Sequence, residues 1–226
     1  PTAQPLPGTE NSAAPFWSPD SRFLGFFAEG KLKKVAVAGG PAQTLSEGLQ
    51  GGGVGSVVGG TWSREGTILY SIGWTSNAPR IYRVSEAGGV VTPVTVPDAS
   101  RQERAHGFPS FLPDGKHFLY LAASDKTENN AIRAGSLDSK EDKLLLNATS
   151  KPVYVSPGYL LFNRQGTVMA QPFDAGRLQL TGEAVPIAES GQVNANGAAA
   201  FAASGNGVLA YRSGRPTPPL MLVWVD

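Results

Sequence analysis

The chain has 226 residues, with 19 Lys and Arg against 18 Asp and Glu, and no cysteine. A net charge of +1 gives no electrostatic case for nucleic acid or an anionic membrane surface. The missing cysteines exclude a disulfide framework and thiol chemistry, whatever the redox compartment. With 28 Gly, 18 Pro and 41% hydrophobic residues, the composition suits many short strands joined by tight turns around an apolar core. No run approaches the roughly 18 apolar residues of a membrane-spanning helix.

At the N-terminus, Thr2-Ala3-Gln4-Pro5-Leu6 reads as a strand without a partner. Residues 14–18 and 23–28 then form two strands around a Pro19-Asp20-Ser21-Arg22 turn, with Pro and Asp where a type I turn favours them. Glu29-Gly30 turns the chain into a third strand over residues 31–37, and Gly39-Gly40 into a fourth at residues 43–45. Four strands and three hairpin turns make one propeller blade. The plan returns with third and fourth strands at residues 81–84 and 91–96, at 131–136 and 143–146, and at 168–173 and 185–187. No window carries a sustained 3.6-residue apolar period between caps, so almost no helix is expected.

The repeat has a phrase of its own. Trp17-Ser18-Pro19-Asp20-Ser21-Arg22 returns as Trp62-Ser63-Arg64-Glu65-Gly66-Thr67, as Phe111-Leu112-Pro113-Asp114-Gly115-Lys116 and as Tyr154-Val155-Ser156-Pro157-Gly158. Its faintest copy starts at Phe201. The anchors Trp17, Trp62, Phe111, Tyr154 and Phe201 stand 45, 49, 43 and 47 residues apart, a period that signals propeller blades. Blades are therefore expected near residues 11–46, 58–97, 106–147, 152–189 and 197–226, all in one domain spanning residues 1–226. The last lacks a strand after residues 220–225, and residues 1–8 supply one. The reading is an all-β propeller of four-stranded antiparallel blades, five in number, closed by the N-terminal strand in the last blade. Closure removes sheet edges. Phe16, Trp17, Phe26, Trp62, Tyr70, Phe111, Tyr120, Phe162, Phe201 and Tyr211 are expected to be buried between blades.

Trp17-Ser18-Pro19-Asp20-Ser21-Arg22, Gly39-Gly40-Pro41 and the stretch from Phe111 to Tyr120 resemble TolB-like (WD40-like) propeller repeats. Met169-Ala170-Gln171-Pro172-Phe173-Asp174 and Gly207-Val208-Leu209-Ala210-Tyr211-Arg212-Ser213 resemble, more narrowly, the C-terminal propeller region of bacterial membrane-anchored serine/threonine kinases. That resemblance implies an extracytoplasmic sensor or interaction domain and brings no catalytic residue with it. The degenerate turn Ser63-Arg64-Glu65 departs from the pattern, as do the fourth and fifth copies, which lack the Asp. Neither end reads as a natural terminus or a signal peptide, so the chain is read as a segment of something longer.

Little in the sequence carries chemistry. Residues 25–31 fit seven positions of a phosphate-binding loop, but Leu32 stands where the metal-binding hydroxyl belongs, and a hairpin replaces the required helix. The glycine-rich residues 51–60 miss the dinucleotide spacing and read as a loop between blades. Two histidines, His106 and His117, are too few for a multi-histidine metal site, and no Gly-x-Ser-x-Gly elbow occurs. No cofactor and no metal are therefore expected.

The loops that enter the inner strands are where binding is expected. They carry Glu10 and Asn11, the polar run from Arg101 to His106 with Arg104 inside it, and Tyr154. Trp74 falls outside the repeat register and is a candidate exposed contact. Arg101, Arg104 and His106 would make one channel mouth locally positive, suited to a protein or to a small polar or anionic ligand; internal salt bridges are the simpler reading. The expected function is a non-catalytic interaction module. The alternatives are a propeller hydrolase or lyase with a site at the channel mouth, and a purely structural or self-assembling propeller.

Overall fold

The computed structural model describes residues 6–47, 57–72, 80–189, 193, 197–204 and 207–212. The first blade is β1 (Ala13–Trp17), β2 (Phe23–Ala28), β3 (Lys31–Ala36) and β4 (Gln43–Ser46), paired in chain order. The second is β5 (Val57–Trp62), β6 (Thr67–Ile72), β7 (Ile81–Ser85) and β8 (Thr92–Pro93), and the third β9 (Glu103–Phe111), β10 (His117–Ser124), β11 (Ala131–Ser136) and β12 (Asp142–Asn147). In the fourth, β13 (Val153–Val155), β14 (Tyr159–Arg164) and β15 (Thr167–Asp174) are completed by β17 (Val185–Glu189), while the short β16 (Gln179–Leu180) extends β15. A fifth unit contributes the hairpin of β18 (Phe201–Ala203) and β19 (Leu209–Tyr211). All of these pairings are antiparallel. The leading strands β1, β5, β9, β13 and β18 neighbour one another in turn. Among the described residues the helical content is two 3-10 turns, and no helix is long and apolar enough to cross a membrane. The expected pairing of residues 2–6 with residues 220–225 lies outside the described residues.

The recurring phrase is one turn used several times. Ser21, Gly66 and Gly115 each donate their N–H three residues back, to the carbonyls of Ser18, Ser63 and Leu112. Each sits at positive φ, at 58°, 76° and 67°. Only a residue tolerant of the left-handed region fits there, hence Gly in two of the three. The serine before the turn takes a second bond. Ser18 Oγ accepts from Phe23 N at 2.9 Å, Ser63 Oγ from Thr67 N at 3.3 Å and Ser204 Oγ from Val208 N at 3.0 Å. The degenerate turn of the second blade is one residue shorter. Ser63 N meets Thr67 O, whereas Ser18 N meets Phe23 O and Leu112 N meets His117 O. The fifth copy closes like the second, from Ser204 N to Val208 O, so its anchor position is Ala203. Phe201 lies two residues earlier on the same strand and face.

Anchor side chains face the preceding blade. Trp62 packs on Phe16 and Phe23 of the first blade, and Phe111 sits against the cluster of Leu69, Ile81 and Phe118. Trp17 corrects the expectation: it lies on the first of the described blades, and it is 42% exposed. Tyr211, at 50%, is also exposed, and Phe111 is half-buried; the other seven expected aromatics are buried. Phe16 shows how close the first seam is. A Cβ placed on Gly25 of its own blade, or on Gly60 of the next, would fall inside its ring contact distance. Glycine at both positions is what lets the ring lie between two sheets.

Candidate functional site

The polar run from Arg101 to His106 is not a loop throughout. Ala99–Arg101 is a 3-10 turn capped by the Asp98 carboxylate on Ser100 N at 2.8 Å, and Gln102 turns the chain at φ 58°. Strand β9 then begins at Glu103, so Arg104 and His106 stand on the innermost strand of the third blade. The reason is non-local: the polar side chains of this strand are answered by polar groups two and three strands away.

His106 pairs across the sheet with Ala122, and Tyr120 with Arg133, on the face turned toward the second blade. There the polar groups form a ladder. His106 is 1% exposed; its Nε2 meets Glu103 Oε2 at 2.9 Å, and its ring lies 4.8 Å from that of Tyr120. The Tyr120 hydroxyl donates to Asp142 Oδ2 at 2.8 Å. The guanidinium of Arg133, itself buried, donates to Asp142 Oδ1 through Nε at 2.9 Å and again through Nη2. Arg101 closes the end, reaching Glu103 at 2.8 Å, Asp142 at 3.1 Å and Asp98 at 3.3 Å. Beside the ladder runs a groove of about 720 Å³ between residues 93–98 and the third blade, with Arg101, His106, Tyr120, Lys140 and Asp142 among its walls.

The charges set each other. Burial alone would raise the Glu103 carboxyl, but hydrogen bonds from His106 and Arg101 outweigh it and hold it at about 2. Burial likewise opposes ionisation of Asp142, and the bonds from Arg133 and Tyr120 hold that carboxyl below its ordinary value. Burial and the Asp142 carboxylate push the Tyr120 phenol up, and Glu103 raises Arg101 further. An ionised Glu103 can only accept, so Nε2 of His106 carries the proton it shares. His106 Nδ1 is buried, with no hydrogen-bond partner among the described residues.

Of the residues singled out from the sequence, the structure brings together Arg101 and His106, through Glu103. Arg104 Nε donates instead to the Ser124 carbonyl at 3.2 Å. Glu10 accepts from Gly8 N at 3.2 Å in an exposed turn of the first blade, and Asn11 lies in the same turn at φ 54°. No hydrogen bond or ion pair joins Glu10 or Asn11 to the ladder among the described residues. Tyr154 is half-buried on β13, its ring edge-on to Phe173 at 6.3 Å. Trp74 lies outside the described residues. The positive mouth expected from Arg101 meets three carboxylates, so an anion arriving there would compete with Asp98, Glu103 and Asp142.

Sequence reasoning missed Glu103, Tyr120, Arg133 and Asp142 as members of the site. One signal was there. Arg133 interrupts Ala131-Ile132-Arg133-Ala134, a run otherwise suited to a buried strand, and a charge in such a place requires a partner. Another group also lay hidden: burial pushes the Lys151 ammonium down to about 8, with Nζ 5.2 Å from the centre of the Phe201 ring. Among the described residues, no group of three or more His, Asp or Glu side chains is placed to hold a metal ion.

No protein-family model matches the sequence, and no curated protein sequence matches it. Solved structures do. A TolB protein of Agrobacterium tumefaciens is 21% identical with a TM-score of 0.58, the match covering 79% of this chain and 62% of that one. TolB of Acinetobacter baumannii is 15% identical with a TM-score of 0.59, covering 79% of this chain and 44% of TolB. A chain of the nidogen–laminin complex is 11% identical with a TM-score of 0.58, covering 77% of this chain and 64% of that one. This chain thus spans less than two thirds of the length of each of these neighbours. Identities so low carry the fold alone. Four-stranded antiparallel blades in sequential contact, a turn phrase repeated from blade to blade, and the likeness to TolB lead to one conclusion: the chain is a β-propeller.

Proposed function

We propose that the chain is a non-catalytic, extracytoplasmic interaction or sensor module, a propeller that holds a protein or a small polar ligand. Its likeness in sequence to kinase-borne propellers supports a place beside a membrane-anchored serine/threonine kinase. The observation that carries the reading is the ladder on the third blade. Its acids and bases are engaged with one another in fixed ion pairs, an arrangement that rigidifies a blade and holds its loops in place. A rigid scaffold with varied loops suits recognition. A neighbour that is part of the nidogen–laminin complex shows the same fold within an assembly of two proteins.

The enzyme reading has one observation in its favour: His106 lines a large groove and has a ring nitrogen with no hydrogen-bond partner among the described residues. Two propeller-containing neighbours are a prolyl endopeptidase and a puromycin hydrolase, of which this chain covers 29% and 34%. One experiment separates the two. The purified chain is assayed on a panel of peptide, ester and glycoside substrates, and in parallel used to capture partners from its source's cell-envelope fraction. Capture of a defined partner without turnover is the expected result. Turnover that is lost in His106→Gln would replace this reading with the enzymatic one.

A further inference from the structure

A second groove, of about 520 Å³, lies on the opposite end of the blades from the loops that enter the inner strands, between the first and second blades. Its walls are the two copies of the recurring turn and the turn after β7. Three cations stand around it, Arg22, Lys34 and Arg64, against two carboxylates, Asp20 and Glu86. Those carboxylates are already committed. Asp20 Oδ1 accepts from Ser18 Oγ at 2.6 Å and from Arg22 N at 3.1 Å, and its other oxygen stands 4.0 Å from Arg22 Nε, the outer limit of an ion pair. Glu86 Oε2 accepts the Trp62 indole N–H at 2.9 Å.

Two of the three cations are less committed. Lys34 is held in place: Nζ donates to the Glu86 carbonyl at 2.8 Å and lies 5.2 Å from the Phe23 ring centre and 5.9 Å from that of Trp62. Arg22 is 77% exposed. Arg64 is exposed, and among the described residues no hydrogen bond or ion pair holds its guanidinium. Arg64 stands where the first and third blades carry Pro19 and Pro113, so the shortened turn of the second blade adds a cation to the groove that the other copies lack.

The geometry points to an acidic segment of a partner protein docking in this groove, its carboxylates received by Arg22 and Arg64 with Lys34 behind them. The donor set favours carboxylates on an extended chain over a single phosphate. A pocket that encloses a single phosphate commonly adds converging backbone N–H groups to its side-chain cations. Here the amides of Ser21, Arg22, Gly66 and Glu86 are already bonded to the Ser18 carbonyl, the Asp20 carboxylate, the Ser63 carbonyl and the Gly66 carbonyl. What is left is side-chain charge spread along the rim of two blades, which a peptide with several acidic residues matches. This inference rests on the reading of the chain as an interaction module and places one partner contact on it.

The test uses a fluorescent hexaglutamate peptide as the probe, with anisotropy read at low and at physiological ionic strength. The parent chain is expected to bind it, more weakly as salt rises, and to leave hexalysine free. Arg22→Ala/Arg64→Ala is expected to weaken binding about tenfold, the scale of two exposed charge pairs. Lys126→Ala/Arg177→Ala removes the same charge elsewhere on the surface, away from both grooves, and is expected to leave binding intact. Equal loss in both double variants, undiminished binding by Arg22→Ala/Arg64→Ala, or no binding at all would overturn the inference. Displacement by millimolar inorganic phosphate as effective as by excess peptide would also overturn it, in favour of a small-anion site. Envelope-partner capture that persists in Arg22→Ala/Arg64→Ala would sink this groove and leave the interaction reading standing.

Discussion

At the seam between the first and second blades, Phe16, Phe27, Trp62 and Tyr70 meet ring to ring, with centroids 5.8 to 6.5 Å apart. At the seam between the second and third, Tyr120 and Phe118 meet Leu69 and Ile81, but beside them run His106, Glu103, Arg133 and Asp142. The first seam is held by removal of apolar surface from water, which is non-directional and insensitive to pH. The second adds charges that must be matched atom for atom, because a buried charge without its partner costs more than the pair returns. Neighbouring seams of one repeat protein thus respond to different perturbations.

The comparison can be broken first at the aromatic seam. Phe27→Ala removes a side chain 1% exposed and is expected to cost about 3–5 kcal/mol, read as a urea-midpoint shift that salt leaves unchanged. A loss under about 1 kcal/mol would mean that the seam is not the packed core described here. At the charged seam, Asp142→Ala strands Arg133, and the expected loss is about 3 kcal/mol. Arg133→Met with Asp142→Leu should restore most of it, since an apolar pair replaces the whole interaction; no recovery in the double variant would show that the ladder does more than balance itself.

Smaller effects sharpen the contrast. Gly60→Ala pushes a methyl into the Phe16 ring, and overpacking of this kind costs about 1–3 kcal/mol. Phe16→Leu in the same chain should relieve part of that cost, and additivity of the two losses would argue against the close approach. Acid also distinguishes the seams. The Glu103 carboxyl is depressed from its ordinary 4.5 to about 2 in the folded chain, and Asp142 is depressed as well. Their contribution is complete above about pH 4.5 and is lost as pH falls toward 2. The urea midpoint should therefore drop over that window in the parent chain and drop less in Glu103→Gln. Equal acid sensitivity in both would remove Glu103 from the explanation.

The two seams also differ in how far the sequence reveals them. The alternation of Leu32, Val35 and their like, and the turn residues from Pro19 to Ser21, announce hairpins from within a few residues, and strands β2 and β11 fall on their expected spans. Aromatic anchors at matching repeat positions foretell the first seam. Trp17 and Trp62 share a phrase and differ in burial, because burial depends on which blade lies alongside, and a repeat unit does not encode its neighbour. The charged seam is harder still. Glu103 and Asp142 are 39 residues apart and meet through Arg101 and Arg133, so a window around either one shows only a polar loop. Arg133 inside an apolar run was the one local trace of the ladder.

The shortened turn of the second blade has a consequence for how such chains diverge. Trp62 and Ile68 face each other as Trp17 and Leu24 do, although one residue fewer connects them. The left-handed residue is retained, at Gly66 as at Ser21, and the strand that follows starts in phase. A deletion there changes the length of the repeat without turning any side chain from one face of the sheet to the other. Copies of a repeated blade can therefore differ in length and charge at their turns while their strands stay in phase, and the rims of such a molecule are free to vary without disturbing the register of its sheets.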